Sequence, residues 1–249
     1  LGQDTEQIIY SGFSNLGNAA IVGEPLGVLF GGRIARDNDG NLVVDQRGDY
    51  AAATNNGIIG DPNPDFTANF INTMSYKNFT LGWQIAYQQG GDIYSATIGA
   101  LLGRGVTDDS VDRLGTFILP GNNVTRDGDG NITSSTPNTT QISGFDLVFR
   151  NRSGFFGKPE AAVFDATHIR LQEVSLAYAM TPKALERTPF GSVTFTVSGR
   201  NLFVDAFNTP DGMNFDPNVN GLGVGNGSGF DFLAGPAARS YGFGIKATF

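Results

Sequence analysis

The chain has no cysteine among its 249 residues. That excludes thiol catalysis, disulfide bridges and thiolate metal sites together. Histidine is nearly absent as well, with His168 the single one. A zinc site would have to rest on carboxylates, which is uncommon. A Ser-His-Asp arrangement would hang on this one imidazole, and no nucleophile-elbow sequence lies near it. Charge is sparse, at 16% of residues, and acids outnumber bases 24 to 16 for a net charge of −8. No Lys/Arg cluster occurs, so a phosphate-neutralising grip on nucleic acid is not expected. No run of eighteen apolar residues occurs either, so no transmembrane helix is expected. The opening Leu1-Gly2-Gln3-Asp4 lacks an initiator Met, a basic n-region and an apolar h-region. That beginning fits a cytosolic chain or a processed or partial product.

What is abundant is glycine (35 residues) and phenylalanine (20). Low charge with many aromatics is the opposite of the disorder signature. Helical periodicity is scarce, whereas two-residue alternation recurs in segments about ten residues long, close to what a tilted membrane strand needs. In DFTANFINTMSY at 65–76, Phe66, Ala68, Phe70, Met74 and Tyr76 share a parity, with Ile71 and Asn72 breaking it. After Lys77-Asn78, FTLGWQIAYQ places Phe79, Leu81, Trp83, Ile85 and Tyr87 on one face. Two such runs across a two-residue turn predict a hairpin. HIRLQEVSLAYAM, starting at His168, changes parity at Gln172-Glu173, which predicts a β-bulge. GSVTFTVSGRNLF, starting at Gly191, and the terminal RSYGFGIKATF alternate as well. A sixth strand, with poor alternation, is expected near residues 5–13.

Strands are therefore expected near 5–13, 65–76, 79–89, 168–180, 191–204 and 239–249. Long Gly/Asn/Asp/Ser/Pro-rich stretches fill 21–64, 89–167 and 205–238, while 77–78 and 181–190 are short. Compact soluble domains rarely carry structureless loops of that length. Short turns at one end and long loops at the other describe an outer-membrane barrel. The apolar parity carries no charge along these strands; Arg170, Arg200 and Lys246 fall on the other parity. The residues favour an all-β membrane barrel segment, with a soluble extracellular β-sandwich binding module as the alternative. The C-terminus is expected on the short-turn, periplasmic side.

Several motifs invite chemistry. DGDGNIT at 127–133 has the look of a calcium loop, but an EF-hand needs Gly at its sixth position and an acid at its twelfth. Ile132 and Asn138 stand there, so a hairpin turn is expected, and DNDGN at 37–41 is read the same way. GLGVGNG at 221–227 lacks the strand-to-helix setting of a phosphate loop. Glu160, Asp165 and Glu173 are read as solvated acids rather than a glycosidase pair. No catalytic residue, metal or cofactor is expected. Phe145, Phe149, Phe155 and Phe156, with Arg150 and Arg152 between them, are unusual in a solvent-facing segment. They form either a small core that folds the loop on itself or a contact surface for a partner or substrate. Gln84, Gln88, Arg170 and Arg200 sit on lumen parity, as wall-hydrating, plug-facing or substrate-contacting groups.

IVGEPLGVLFGG at 21–32, IIGDPNPDFTANF at 58–70, SYKNFTLGWQIAYQQGGDIYS at 75–95, HIRLQEVSLAYAMTPKAL at 168–185, VTFTVSGRNLF at 193–203, FDP at 215–217 and the terminal SYGFGIKATF occur in this order. Together they resemble the C-terminal third of SusC/RagA-type TonB-dependent transporters. The resemblance implies a barrel of about 22 strands with a plugged lumen. It implies import of glycans or peptides, with a SusD-like surface lipoprotein as lid and TonB engaged through the plug. Neither a plug nor a TonB box is recognisable here. Six strands cannot close such a barrel, and open edges in hydrocarbon leave backbone groups unpaired. The N-terminal portion of the same transporter is therefore an expected partner, along with lipid or lipopolysaccharide. The resemblance also makes Tyr241, Phe243 and Phe249 a signal for the barrel-assembly machinery, and the cell outer membrane the location. A structural or accessory SusC-like subunit of a larger outer-membrane or secretion assembly stays open beside import.

Overall fold

A computed structural model describes residues 6–249 other than 14, 211, 214, 220 and 222–226. Five long strands form one antiparallel sheet: Phe66–Tyr76, Phe79–Gln89, His168–Ala179, Ser192–Ala206 and Ser240–Thr248. Each pairs with the strand next to it in sequence, so the sheet is a simple meander. Among the described residues, Phe66–Tyr76 and Ser240–Thr248 each have one ladder partner and form the two edges.

The register turns sequence alternation into rows that cross the whole sheet. One row runs Tyr76, Phe79, Tyr178, Phe195 and Ile245; the next runs Met74, Leu81, Leu176, Val197 and Phe243. A third runs Asn72, Trp83, Val174, Gly199 and Tyr241. The opposite face carries Ser75, Thr80, Ala177, Thr196 and Gly244, then Thr73, Gly82, Ser175, Ser198 and Gly242. The parity change predicted at Gln172-Glu173 is a register shift between Leu171 and Glu173 against both neighbouring strands. On one of those neighbours, Asn201 takes a positive φ of 52°, a conformation Asn tolerates better than most residues. The bulge keeps Leu171 and Val174 on the same face despite their odd spacing.

Among the described residues no second layer covers the apolar rows. Met74, Leu176, Val197, Phe243 and Ile245 are all exposed, as are Phe66, Phe70 and Tyr76. The sheet therefore has no core of its own on that side. Nor does it close on itself: it is an open five-stranded wall.

The sixth strand is placed differently from the expectation. Gln7–Phe13 is a strand, but it pairs with Leu16–Ile21 in a separate four-stranded sheet completed by Val28–Gly31 and Gly57–Gly60. The physical reason lies in its hairpin. Gly12, at φ 94°, and Gly17 approach so closely that a Cβ on Gly12 would come within 2.7 Å of the Gly17 Cα. That close pairing, and burial of Leu16 and Ala19, hold the strand to its own hairpin.

The connections segregate by length. Lys77-Asn78, with Lys77 at φ 54°, and residues 180–191, containing the short helix Pro182–Leu185, lie at one end. Asn78 ties this end together by donating to the Ala179 carbonyl at 2.6 Å. Phe249 packs on Phe190 there, with ring centroids 5.1 Å apart. The long segments gather at the other end and are folded rather than structureless. Asp92–Ser95 pairs with Val163–Asp165 and, in parallel, with Phe230–Asp231. Helix Ala96–Arg104 follows, capped by the Ser95 hydroxyl and closed by Gly105 at φ 65°. Leu16, Leu29, Ile59, Tyr94, Ala162 and Phe230 form a core linking the N-terminal sheet to these segments. Ile93, Ile98, Leu102, Val148, Ala166 and Phe215 form a second.

Candidate functional site

The polar face of the wall meets the loop body at its long-loop end. His168, on that polar face, is buried, and its Nδ1–H donates to the Ala166 carbonyl at 2.8 Å. Arg170, also on that face, is buried against Asp216, which the 207–239 segment brings in. Asp216 further accepts from the backbone N–H of Asn218 at 3.1 Å and of Ala237 at 3.1 Å. Burial alone would raise the Asp216 pKa; the Arg170 hydrogen bond and these amides outweigh it and hold the carboxyl below the usual range. Arg170, a sequence candidate for contacting substrate, is thus committed to a buried ion pair that pins a loop to the wall. Sequence alternation gives a side chain's face but not what folds over that face.

The other lumen-parity candidates are placed differently. Gln84 and Gln88 are half-buried on the same face, and Gln88 donates to the Gly90 carbonyl at 3.2 Å. Arg200 is exposed and reaches Glu173 at 3.2 Å across the ladder.

The aromatics of the 89–167 segment come together. A helical turn at Gly144–Asp146 widens into a π-helix at Leu147–Arg152, and an irregular stretch carries Phe155 and Phe156. Phe145 stacks on Phe149 at 5.2 Å, and Phe149 meets the edges of Phe155 and Phe156 at 6.5 and 5.3 Å. The Arg150 guanidinium stands 5.9 Å from the Phe156 ring. Phe145, Phe155 and Phe156 remain exposed, Phe156 the most at 56%. Phe156 also takes φ 59°, a left-handed conformation uncommon for a bulky residue, between Gly154 and Gly157 at φ 76° and 77°.

Beneath the rings is a polar anchor that no sequence motif announces. Buried Asn151 donates to Asp49 Oδ1 at 2.9 Å and accepts from the Tyr50 N–H at 2.8 Å. Lys158 Nζ donates to the Tyr50 carbonyl at 2.9 Å, and Arg150 Nε pairs with Asp49 at 2.9 Å. Burial pushes the Lys158 ammonium below the ordinary lysine range, against the pull of Asp49 and Asp45. The backbone of the aromatic patch is therefore fixed while its rings point outward.

The acidic motifs are turns. In DNDGN, Asp37 Oδ1 accepts from the N–H groups of Asp39 and Asn41, and Gly40 N–H returns to the Asp37 carbonyl with φ 84°. DGDGN at 127–131 repeats these bonds, with Gly130 at φ 87°. DQRGD at 45–49 repeats them again, with Gly48 at φ 89°. Each is a hairpin whose Asp side chain is spent on turn amides, with Gly supplying the left-handed position. Asp37 additionally accepts from Ser135 Oγ at 2.6 Å and Asn122 Nδ2 at 2.9 Å, which lower its pKa and join two hairpins. The glycine-rich run 221–227 falls largely outside the described residues.

Between these hairpins lies an open cleft made of two adjoining hollows of about 310 and 470 Å3. They share Ala35, Ala52, Thr54 and Arg126. Arg33, Arg36 and Asn55 are among the further residues of one; Asp45, Gln46 and Asn123, with Val43, Val44 and Val124, are among those of the other. Arg36 is neutralised by Glu160 at 2.5 Å.

No family model matches the chain. Curated relatives do. The TonB-dependent receptor P3 of Formosa agariphila is 27% identical over 221 residues, covering 88% of this chain and 19% of that protein. The TonB-dependent receptor P26 of the same organism is 28% identical over 214 residues, covering 82% and 19%. The chain thus spans about a fifth of the length of these relatives. Among solved structures, a chain of the RagAB peptide transporter matches all of this chain with 25% of its own length, at TM-score 0.58 and 16% identity. The RagAB peptide importer in its open-open state gives 0.56 and 15%. The resemblance to SusC/RagA-type transporters read from the motifs thus stands in sequence, through the receptors, and in fold, through RagAB, for a portion of such a chain.

Proposed function

We propose that this chain is part of the barrel wall of a SusC-like TonB-dependent importer in the outer membrane, and that it has no catalytic role. One observation carries the reading: a charge-poor apolar stripe crosses five strands from edge to edge, and none of the described residues covers it. In water such a stripe is a severe aggregation liability. In hydrocarbon it is solvated, and the polar rows behind it line a lumen. The two edges then pair with strands outside this chain, because open edges are not tolerated at membrane depth. The short-turn end, with Phe249, faces the periplasm and presents Tyr241, Phe243 and Phe249 to the assembly machinery. The folded long segments stand outside, where the aromatic patch at Phe145–Phe156 meets a SusD-like lipoprotein or cargo. The cargo class is a glycan or a peptide; the RagAB likeness points to the latter and the receptor relatives name neither.

The test is outer-membrane extraction in mild detergent followed by mass spectrometry of what co-purifies. The expected result is a stable complex containing plug-bearing polypeptide and a surface lipoprotein. Recovery of residues 1–249 as a folded, monodisperse monomer without detergent would overturn the reading. A complex with secretion components and no cargo uptake would favour the accessory role instead.

A further inference from the structure

The cleft between the loop hairpins is lined by two arginines that form no ion pair with the described residues, while Asp45, the acid on its lining, is paired with Arg47 at 3.0 Å. Arg33 and Arg126 both line its 310 Å3 hollow. Among the described residues neither has a carboxylate within ion-pair distance, although acids outnumber bases 24 to 16 in the chain. Arg126 gives one N–H to the Gly130 carbonyl at 2.8 Å, leaving the rest of its fork free. Arg33 lies flat over Gly57: a Cβ there would come within 2.6 Å of its Nε. The missing side chain makes room for the guanidinium and restricts where it lies.

We propose that this cleft binds the carboxylate or sulfate groups of an acidic oligosaccharide. Planar guanidinium forks match such oxyanions, and charge-assisted hydrogen bonds are the stronger kind. The rest of the lining explains why a saccharide fits better than a peptide. Thr54, Asn55, Gln46 and Asn123 offer both donors and acceptors, as sugar hydroxyls require. The apolar part of the lining is made of short side chains, Ala35, Ala51 and Ala52 with Ile34, Val43, Val44 and Val124, and both hollows are open rather than deep pockets for a peptide side chain. Arg36 takes no part, since Glu160 already satisfies it. The inference rests on the importer reading in making the ligand cargo, but the binding it asserts is measurable without transport.

The experiment uses the membrane-assembled protein in detergent and titrates it calorimetrically with a short polygalacturonate, a short sulfated galactan and a neutral galactan of equal length. The acidic oligomers are expected to bind, more weakly as salt rises, and the neutral one not. Arg33→Gln and Arg126→Gln are each expected to weaken binding about tenfold, the loss of one charge-assisted contact. Gly57→Ala, which pushes Arg33 aside, is expected to act like Arg33→Gln, while Arg104→Gln, a charge loss on the helix, leaves affinity unchanged. No binding of either acidic oligomer, or affinity insensitive to Arg33 and Arg126, overturns the proposal. So does equal binding of a glutamate-rich peptide, which would make the cleft an unselective anion site. Heat-modifiable migration on gels reports barrel assembly separately: a variant that assembles but does not bind bears on the cleft, and failure of wild-type assembly bears on the importer reading.

Discussion

At the scale of single residues, Phe156 separates two roles for the aromatic patch. A left-handed backbone costs a non-glycine residue roughly 1–2 kcal/mol, yet here it holds a phenyl ring that stays more than half exposed. Phe156→Gly removes the strain and little buried area. If the ring serves contact, the loop in the variant is expected to resist protease as well as the wild type or better, while lipoprotein or cargo binding weakens. Faster nicking would mark the ring as loop core, where truncating a Phe costs about 3–5 kcal/mol. Arg170 and Asp216 make the opposite kind of site, wholly structural. Asp216→Asn leaves a buried guanidinium without its counter-charge, at about 3–5 kcal/mol. The depressed Asp216 pKa gives stability that is present above the ordinary carboxylate range and lost as pH falls through the folded value. Protease sensitivity of the 207–239 segment is therefore expected to rise on acidification in the wild type, and to be high and pH-independent in Asp216→Asn. The sequence showed Arg170's parity but not its partner, because Asp216 arrives from a long segment whose path no local pattern records.

At the scale of elements, what was legible followed from periodicity, and what was not came from chain crossings. The hairpin at Lys77-Asn78, the bulge at Gln172-Glu173 and the terminal strand all follow from two-residue alternation, which a one-residue slip would invert. Helix Ala96–Arg104 was missed, although its signals were present: Ser95 just before it and Gly105 just after. ATIGALLGR is short and glycine-bearing, so its apolar spacing did not rise above the surrounding loop. The cap makes a prediction there: Ser95→Ala removes the bond to the Ile98 N–H and the one Asp231 accepts from the Ser95 hydroxyl at 2.7 Å, leaving Asp231 with the Thr97 and Ala234 amides. The cap alone accounts for about 1 kcal/mol, read as faster hydrogen exchange across residues 96–104. The wall strands make another. Trp83 stands in the middle apolar row and Gln84 on the face behind it. Trp83→Arg places a charge against lipid, at roughly 2–4 kcal/mol near the midplane, and is expected to reduce the folded, heat-modifiable fraction. Gln84→Arg is expected to assemble normally. Equal behaviour of the two would reverse or abolish the assigned faces.

At the scale of the whole molecule, the question is what completes a sheet with two edges and one bare side. Among the described residues nothing packs over Val197: it sits on an inner strand, in the row of Met74, Leu81, Leu176 and Phe243, and is 57% exposed. Any shielding of Val197 in the cell must therefore come from outside the described residues. The absence of cysteine from these 249 residues makes each introduced thiol unique within the chain. Val197→Cys and Ser198→Cys differ by one residue and by the face they present, since Ser198 pairs with Ser175 and Gly242 on the polar side. In intact outer membranes a charged, water-soluble maleimide is expected to label Ser198→Cys and to spare Val197→Cys. After denaturation both should label equally. If both label in the membrane, the apolar rows face water and the barrel wall is wrong. If neither labels, a second protein layer covers the polar face as well, and the lumen must be filled at that depth. Only the unequal result joins hydrocarbon on one side to an aqueous path on the other, which a transporting wall requires.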